Sequence, residues 1–383
     1  MDNLFFERAG AMALGRIFGF QPKISKRIIE ELGSSTAIFG LSGRELEQIF
    51  GPYSKHTPLV SDRVMKESEN ELRRLVGLGY QVVAITEDTY PSLLKDCEDA
   101  PACLYVRSSS DVGEIFNRGE CISIVGTRDI SLYGKEWCTR IVRTISESAA
   151  RPAIVSGLAL GVDITAHMAA LDFGLPTIAV IPVGIEDIYP RTHRQAACRI
   201  VSSPGSAVVT DYPPGTAPLQ INFIRRNRII AGLSRATVLI ESKAKGGGML
   251  TARLAGDYGR EVFVLPGRID DVRSAGCNAL VRQKAAEIIC SPADITVSLG
   301  LGPAGIRGKQ DLPSMLRARY GDGSETASVG ILIEQRRGIT ADEICRCLNM
   351  SYRNVSQALG RLELDGIVST DLLGRCAINA KIA

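Results

Sequence analysis

From residue 121 to residue 299 the chain alternates short, nearly unbroken apolar runs with stretches of helical period, and no other feature restricts its fold so strongly. The runs are Cys121–Val125, Ala153–Val155, Thr177–Ile181, Ala207–Val209, Thr237–Ile240 and Val262–Leu265; helices are expected between them, for example at Lys135–Ser148, Ile164–Phe173, Asn222–Gly232 and Leu250–Tyr258. A strand that is apolar at every position is covered on both faces, and strands that alternate with helices pair in parallel through crossovers. The expected class is therefore α/β, with a doubly wound parallel sheet.

The flanks have other patterns. Residues 1–85 are rich in short helical stretches broken by Gly and Pro, at Lys23–Leu32, Gly43–Phe50 and Ser61–Leu78, the last with Val64, Leu72, Leu75 and Val76 at helical spacing. A bridge from Tyr80 to about Ser110 carries strand-like runs at Gln81–Ile85 and Cys103–Val106. These patterns divide the chain into a helical domain at 1–85, a Rossmann-like core at 86–299, a linker of Gly, Pro and mixed charge at 300–325, and a small domain at 326–383. In the last, Thr340 and Glu343 form a capping box and Ser351 is an N-cap. Val355, Leu359 and Leu362 share one face of the helix that follows Ser351. The tail Ile367–Thr370 and Cys376–Ile378 can pair across Leu373-Gly374-Arg375, so a winged helix-turn-helix is expected.

Composition removes several classes. Hydrophobic residues at 45% and charged residues at 23% describe a globular chain, not a disordered or fibrous one. No apolar run reaches the roughly 18 residues that cross a bilayer. The start, Met1 to Arg8, lacks the basic and apolar regions of a signal peptide. Ten cysteines without a CxxC pair then read as reduced thiols of a cytoplasmic protein. With three histidines, none within ligand spacing of a cysteine pair, no zinc or other metal site is expected.

Charge is nearly balanced at +3. Between Ile188 and Ile240, however, stand seven arginines (191, 194, 199, 225, 226, 228 and 235), no lysine and the single acid Asp211. Such a local excess suggests an anionic ligand, with structural ion pairs or a solvated face as an equal alternative.

The strand-to-helix turns carry the chemistry. In an open parallel sheet ligands sit beyond the carboxyl ends of the strands, where helix N-termini favour phosphate. The first turn is Gly126-Thr127-Arg128, continuing to Ser131 and Tyr133-Gly134, with Arg128 supplying a fork of donors. The second is Ser156-Gly157-x-Ala159-x-Gly161-x-Asp163, with His167 four residues beyond Asp163, a spacing that favours a local hydrogen bond over a catalytic pair. Neither is the G-x-G-x-x-G fingerprint and no acid closes the second strand, which disfavours a nicotinamide cofactor. A third, Gly246-Gly247-Gly248 leading to Thr251, offers backbone amides for an anion nest. In Arg225-Arg226-Asn227-Arg228 at least one arginine is expected to be structural, leaving the others and Asn227 for phosphate or base edges.

At these turns the chain resembles the DNA-processing protein A family (DprA, also called Smf). The matching stretches are Ile124–Arg128 with Tyr133-Gly134, Ser156–Asp163 with Ala166-His167, Tyr189-Pro190, Asp211–Thr216, Arg226–Ser234, Gly246–Ala252 and Gly259-Arg260 through Leu265-Pro266-Gly267. They follow the family's order over about residues 87–290, and Asp88-x-Tyr90-Pro91 and Leu104-Tyr105 extend the match upstream. His193 stands where the family commonly has Asn, and Asp211 where Glu is frequent.

The resemblance implies a SAM or helix-hairpin-helix-like N-terminal domain and a C-terminal winged helix. It also implies a homodimer that binds and protects incoming single-stranded DNA and loads the RecA recombinase during natural transformation. Carried over, Arg128 is the main DNA-contacting arginine with Gly126 and Thr127 beside it, Ser156, Gly157 and Gly161 form the second turn of the groove, and Arg194 is a basic contact. The rival reading is a nucleotide phosphoribohydrolase of related architecture, which places a glutamate after a Pro-Gly-Gly-x-Gly-Thr turn. Gly246–Gly256 holds no carboxylate and no Pro precedes its glycines, so the acid for that chemistry is missing, and neither an enzyme nor a cofactor is expected. A scaffold whose arginines bridge subunits is the third reading.

Overall fold

The computed structural model describes residues 3–117, 119–302, 312–336, 339–370 and 374–378. They fall into two compact units, Met1–Leu301 and Gly302–Ala383.

The first unit is built on nine strands: β1 (Gln81–Ala84), β2 (Cys103–Arg107), β3 (Cys121–Val125), β4 (Ala153–Ser156), β5 (Thr177–Val180), β6 (Ala207–Thr210), β7 (Ala236–Leu239), β8 (Glu261–Val264) and β9 (Glu287–Ile288). Their order is β1-β2-β6-β5-β4-β3-β7-β8-β9. From β6 across to β9 every pair is parallel, whereas β2 runs antiparallel to β6 and β1 antiparallel to β2. The bridge expected at 80–110 thus becomes an antiparallel edge of the same sheet, and the sheet is mixed. β3 through β7 are buried at every position, as their apolar composition requires. Alternate residues serve opposite faces: Ile122, Ile124, Ile154, Val238 and Phe263 join one core cluster, Val125, Val155, Leu239 and Val264 the other.

The chain winds from β3 through β6 in one direction and from β7 to β9 in the other. The strand order therefore reverses between β3 and β7, and the crossovers leaving these neighbours diverge to leave a crevice at their carboxyl ends.

The division expected at residue 85 is not a break between compact units. Leu14, Phe18, Leu72 and Leu75 of the N-terminal helices share a core with Val82, Leu104 and Tyr105 of β1 and β2. Sequence pattern missed the first helix, Asn3–Phe18, because Ala9 to Leu14 are all buried and leave no polar stripe to mark a period.

The second unit holds the helices Leu312–Tyr320, Glu325–Gln335, Ala341–Leu348 and Tyr352–Leu364 with a sheet of order β10-β12-β11, namely β10 (Ile339–Thr340), β12 (Arg375–Ile378) and β11 (Val368–Thr370). The Thr340/Glu343 capping box forms, with Thr340 N donating to the Glu343 carboxylate at 2.9 Å, and Ser351 Oγ accepts from Asn354 N at 3.2 Å. Part of the expected linker is ordered helix, since Leu312–Tyr320 inserts the fully buried Leu316 into this core. Residues 303–311 of that linker and 371–373 of the expected hairpin lie outside the described residues.

Candidate nucleic-acid interface

A cleft of about 570 Å³ opens at the switch point between β3 and β7. Three segments wall it: the turn after β3, the loop after β7, and one face of the helix Gln220–Gly232. That helix contributes Gln220, Phe223, Ile224, Asn227 and Ile230, the three- and four-residue spacing of a single stripe, and beside them Arg226.

The first wall is held rigidly so that one side chain can project. Thr127 N donates to Glu241 O at 2.7 Å, and Val162 N to Thr127 O at 3.1 Å, which fixes the turn against both neighbours. Gly161 makes this approach possible: its φ is +76°, and a Cβ there would lie 2.3 Å from Thr127 O. Beyond it, Ser131 Oγ caps the helix Leu132–Ser146 by accepting from Gly134 N at 3.0 Å, while Ser131 N donates to the buried Glu241 carboxylate at 2.9 Å. Arg128 is left exposed, its guanidinium 5.2 Å from the centroid of the Phe223 ring. Phe223 in turn meets Tyr189 edge-on, with centroids 5.2 Å apart.

On the opposite wall the helix Gly247–Asp257 begins at the cleft. Its N-cap is Gly246, with no capping side chain, and Gly246, Gly247, Gly248 and Thr251 all line the cavity. An 11-residue helix presents unpaired N–H groups and a partial positive charge at this end, so anionic oxygen is favoured there. The exposed Lys243 adds a second full charge.

Asp163 is the one carboxylate among the residues lining the cleft, and it is engaged, accepting from Gly157 N at 3.1 Å and Ala159 N at 3.4 Å. Burial pushes its pKa up, against the pull of the Arg226 guanidinium. Arg226 is 4% exposed, donates to Gly157 O at 2.7 Å and also to Val180 O, and burial lowers its pKa to about 10. A Cβ on Gly157 would sit 2.4 Å from this guanidinium. Arg226 therefore joins the carboxyl ends of β4 and β5 from beneath the cleft.

The expected site residues separate accordingly. Gly126, Thr127, Arg128, Arg226, Asn227, Gly246, Gly247, Gly248 and Thr251 come together around the cavity. Ser156, Gly157 and Gly161 lie outside its lining; Ser156 is fully buried and donates to Ile124 O at 2.6 Å, a tie between strands. Arg225 and Arg228 point from other faces of their helix: Arg225 stacks over Phe20 at 4.2 Å, and Arg228 is buried against Asp211 and the Asp99 carbonyl. Arg194 is exposed at the start of the helix Arg194–Ser202, apart from the cleft lining.

The arginine excess between Ile188 and Ile240 is thus mostly used within the fold, since Arg199 and Arg235 also pair, with Asp172 and Glu120. Of the cations lining the cleft, Arg226 belongs to that run but is buried and bonded, whereas the exposed pair, Arg128 and Lys243, lies outside it. Asp163 and His167 each have separate partners: His167 is fully buried with Nδ1 2.7 Å from Thr177 Oγ1, and burial lowers its pKa to about 3. Lys243 and Phe223 escaped sequence reasoning, although Phe223 falls one helical turn before Asn227 and Lys243 opens the loop to the glycines; Tyr189 entered it only as part of a family-matching stretch, with no role assigned.

Comparison with known proteins bears on the family and the fold. The family model for DNA recombination-mediator protein A matches residues 81–300. Protein Smf of Escherichia coli is 35% identical over 237 residues, 62% of this chain and 61% of that protein. DNA processing protein DprA of Streptococcus pneumoniae is 36% identical over 212 residues, 55% of this chain and 72% of that one. The X-ray structure of the Streptococcus pneumoniae protein superposes with a TM-score of 0.62 at 28% identity, covering 77% of this chain and 98% of the other. DNA processing protein A from Helicobacter pylori, whose single-stranded DNA binding mode has been described, superposes with a TM-score of 0.51 at 29% identity over 57% of this chain and 95% of that one. The chain belongs to the DNA recombination-mediator protein A (DprA/Smf) family.

Proposed function

We propose that this protein binds single-stranded DNA in the cleft between β3 and β7 and serves as a recombination mediator in DNA processing during transformation. The observation that carries the reading is Arg128, exposed and seated on Phe223 at the mouth of a cleft whose far wall is a helix N-terminus. Phosphates engage Arg128, Lys243 and the amides of Gly247 and Gly248, while an unstacked base lies against Phe223. Stacking on an aromatic ring accepts any base, which suits a protein that handles DNA of arbitrary sequence.

Two or three phosphate contacts per chain bind weakly at physiological salt, and a homodimer gains affinity by engaging one strand at two clefts. In this reading the protein shields incoming DNA, hands it to the RecA recombinase and breaks no bond. Support for the last point comes from Asp163, which already accepts two backbone amides. The helices and three-stranded sheet of the second unit are read as a winged helix, and the helices before β1 as a SAM or helix-hairpin-helix-like domain. No helix among the described residues is long and apolar enough to cross a membrane, in keeping with work in the cytoplasm.

The test is a fluorescence-anisotropy titration of a labelled unstructured oligonucleotide and of its duplex at two salt concentrations. The single strand is expected to bind tighter, with a log–log salt slope of about −0.7 per phosphate neutralised. Equal affinity for the duplex, or no binding, contradicts the reading.

A further inference from the structure

After β8 the chain makes an excursion over residues 266–274 before entering the helix Ala275–Arg282. The loop is rooted at both limbs. Asn278 clamps its start, accepting from Gly267 N at 3.3 Å and donating to Gly267 O at 3.0 Å. Tyr133 Oη donates to Pro266 O at 2.9 Å. At the other limb, Ser242 N donates to Arg273 O at 2.7 Å, and the Arg273 guanidinium pairs with Asp129 at 3.4 Å. Asp129 follows Arg128, and Ser242 precedes Lys243, so the loop is anchored to both walls of the cleft.

What this loop shows to solvent is apolar. Ile269 is 98% exposed and Val272 64%, with Leu132, the first residue of the helix Leu132–Ser146, at 87%. Its charges are paired off: Arg268 holds Asp270 through two bonds of 2.9 and 2.8 Å, Arg273 holds Asp129, and the Asp271 carboxylate accepts from Arg273 N at 2.9 Å. A surface with neutralised cations makes a poor phosphate track. Unpaired bases, by contrast, carry exposed apolar faces that a duplex hides in its stack, and apolar side chains are commonly set against such bases.

We propose that Ile269 and Val272, together with Leu132, form an apolar rim that contacts the bases of nucleotides just outside the cleft. The rim lengthens the site beyond its phosphate contacts and favours unpaired DNA. This rests on the cleft being the single-strand site.

The experiment uses the full chain, wild type against the Ile269→Ser/Val272→Ser double variant, with melting temperatures as the check on folding. The two probes are a 20-nucleotide oligothymidylate and a strand of equal length carrying four central thymidines and abasic positions elsewhere. The wild type is expected to prefer the full-base strand by about threefold to tenfold. The double variant should bind both strands alike and keep its affinity for a four-thymidine oligonucleotide. A wild type without this preference, or a double variant that keeps it, overturns the proposal. Failure of the underlying reading looks different, because binding to every strand is then absent or indifferent to Arg128→Ala.

Discussion

The guanidinium of Arg128 lies over the ring of Phe223, 5.2 Å from its centroid, although the two belong to segments 95 positions apart in sequence. The ring's negative face supports the cation, so the charge stays oriented toward the cleft without being spent on a carboxylate.

Phe223 accordingly has two tasks, stacking a base and seating Arg128. Phe223→Leu keeps apolar volume but removes the π face. Single-strand affinity is expected to fall by about 1–3 kcal/mol, read by anisotropy, with the melting curve little changed. Unaltered affinity would show that no base rests on this ring.

Arg226 is expected to behave in the opposite way. Its substitution by Met strips donors from the Gly157 and Val180 carbonyls and leaves Asp163 buried without its neighbouring cation. Each buried carbonyl left without its donor costs about 1–3 kcal/mol, so urea unfolding should register a clear loss. A variant of wild-type stability that binds DNA poorly would instead make Arg226 a direct contact.

The contrast between Arg128 and Arg226 marks where sequence was sufficient. The strands were legible because β3 to β7 are buried on both faces and therefore apolar throughout, and the turn residues Gly126, Arg128 and Gly246–Gly248 follow from their place at strand ends. The arginine-rich run was not legible as ligand or scaffold. Composition counts charges but is blind to which face of a helix each occupies, and Arg225, Arg226 and Arg228 face three different environments within one turn. Lys243 was overlooked because a single lysine in a loop has no pattern. The first helix was hidden by its own complete burial.

Gly161 tests the rigidity of the turn. In Gly161→Ala the new Cβ must displace Thr127 O at a positive φ, a strain of about 1–3 kcal/mol. Both the melting temperature and DNA affinity should drop. Gly247→Ala is the control, since a Cβ there has no neighbour within 4 Å, and it should melt as the wild type does. Equal behaviour of the two variants would argue against a locked turn.

His167 gives stability a pH dependence of known sign. Its folded pKa is depressed from 6.5 to about 3 because burial disfavours the imidazolium. The unfolded chain therefore takes up a proton below about pH 6.5 that the fold refuses. The stabilisation is complete above that value and is lost as pH falls toward 3, by about 1.4 kcal/mol per unit for one proton. Asp163, raised by burial, works against this trend at acidic pH. Urea melts between pH 7 and 4.5 should therefore fall less steeply for His167→Gln than for the wild type. Parallel profiles would mean that the ring is protonated in the folded protein.

The most direct test of the account is the affinity of Arg128→Ala for a labelled unstructured oligonucleotide across a salt series, alongside its melting curve. The predicted result is binding weakened by about tenfold, a log–log salt slope shallower by about 0.7, and an unchanged melting temperature. Wild-type affinity and slope in the folded variant would contradict it.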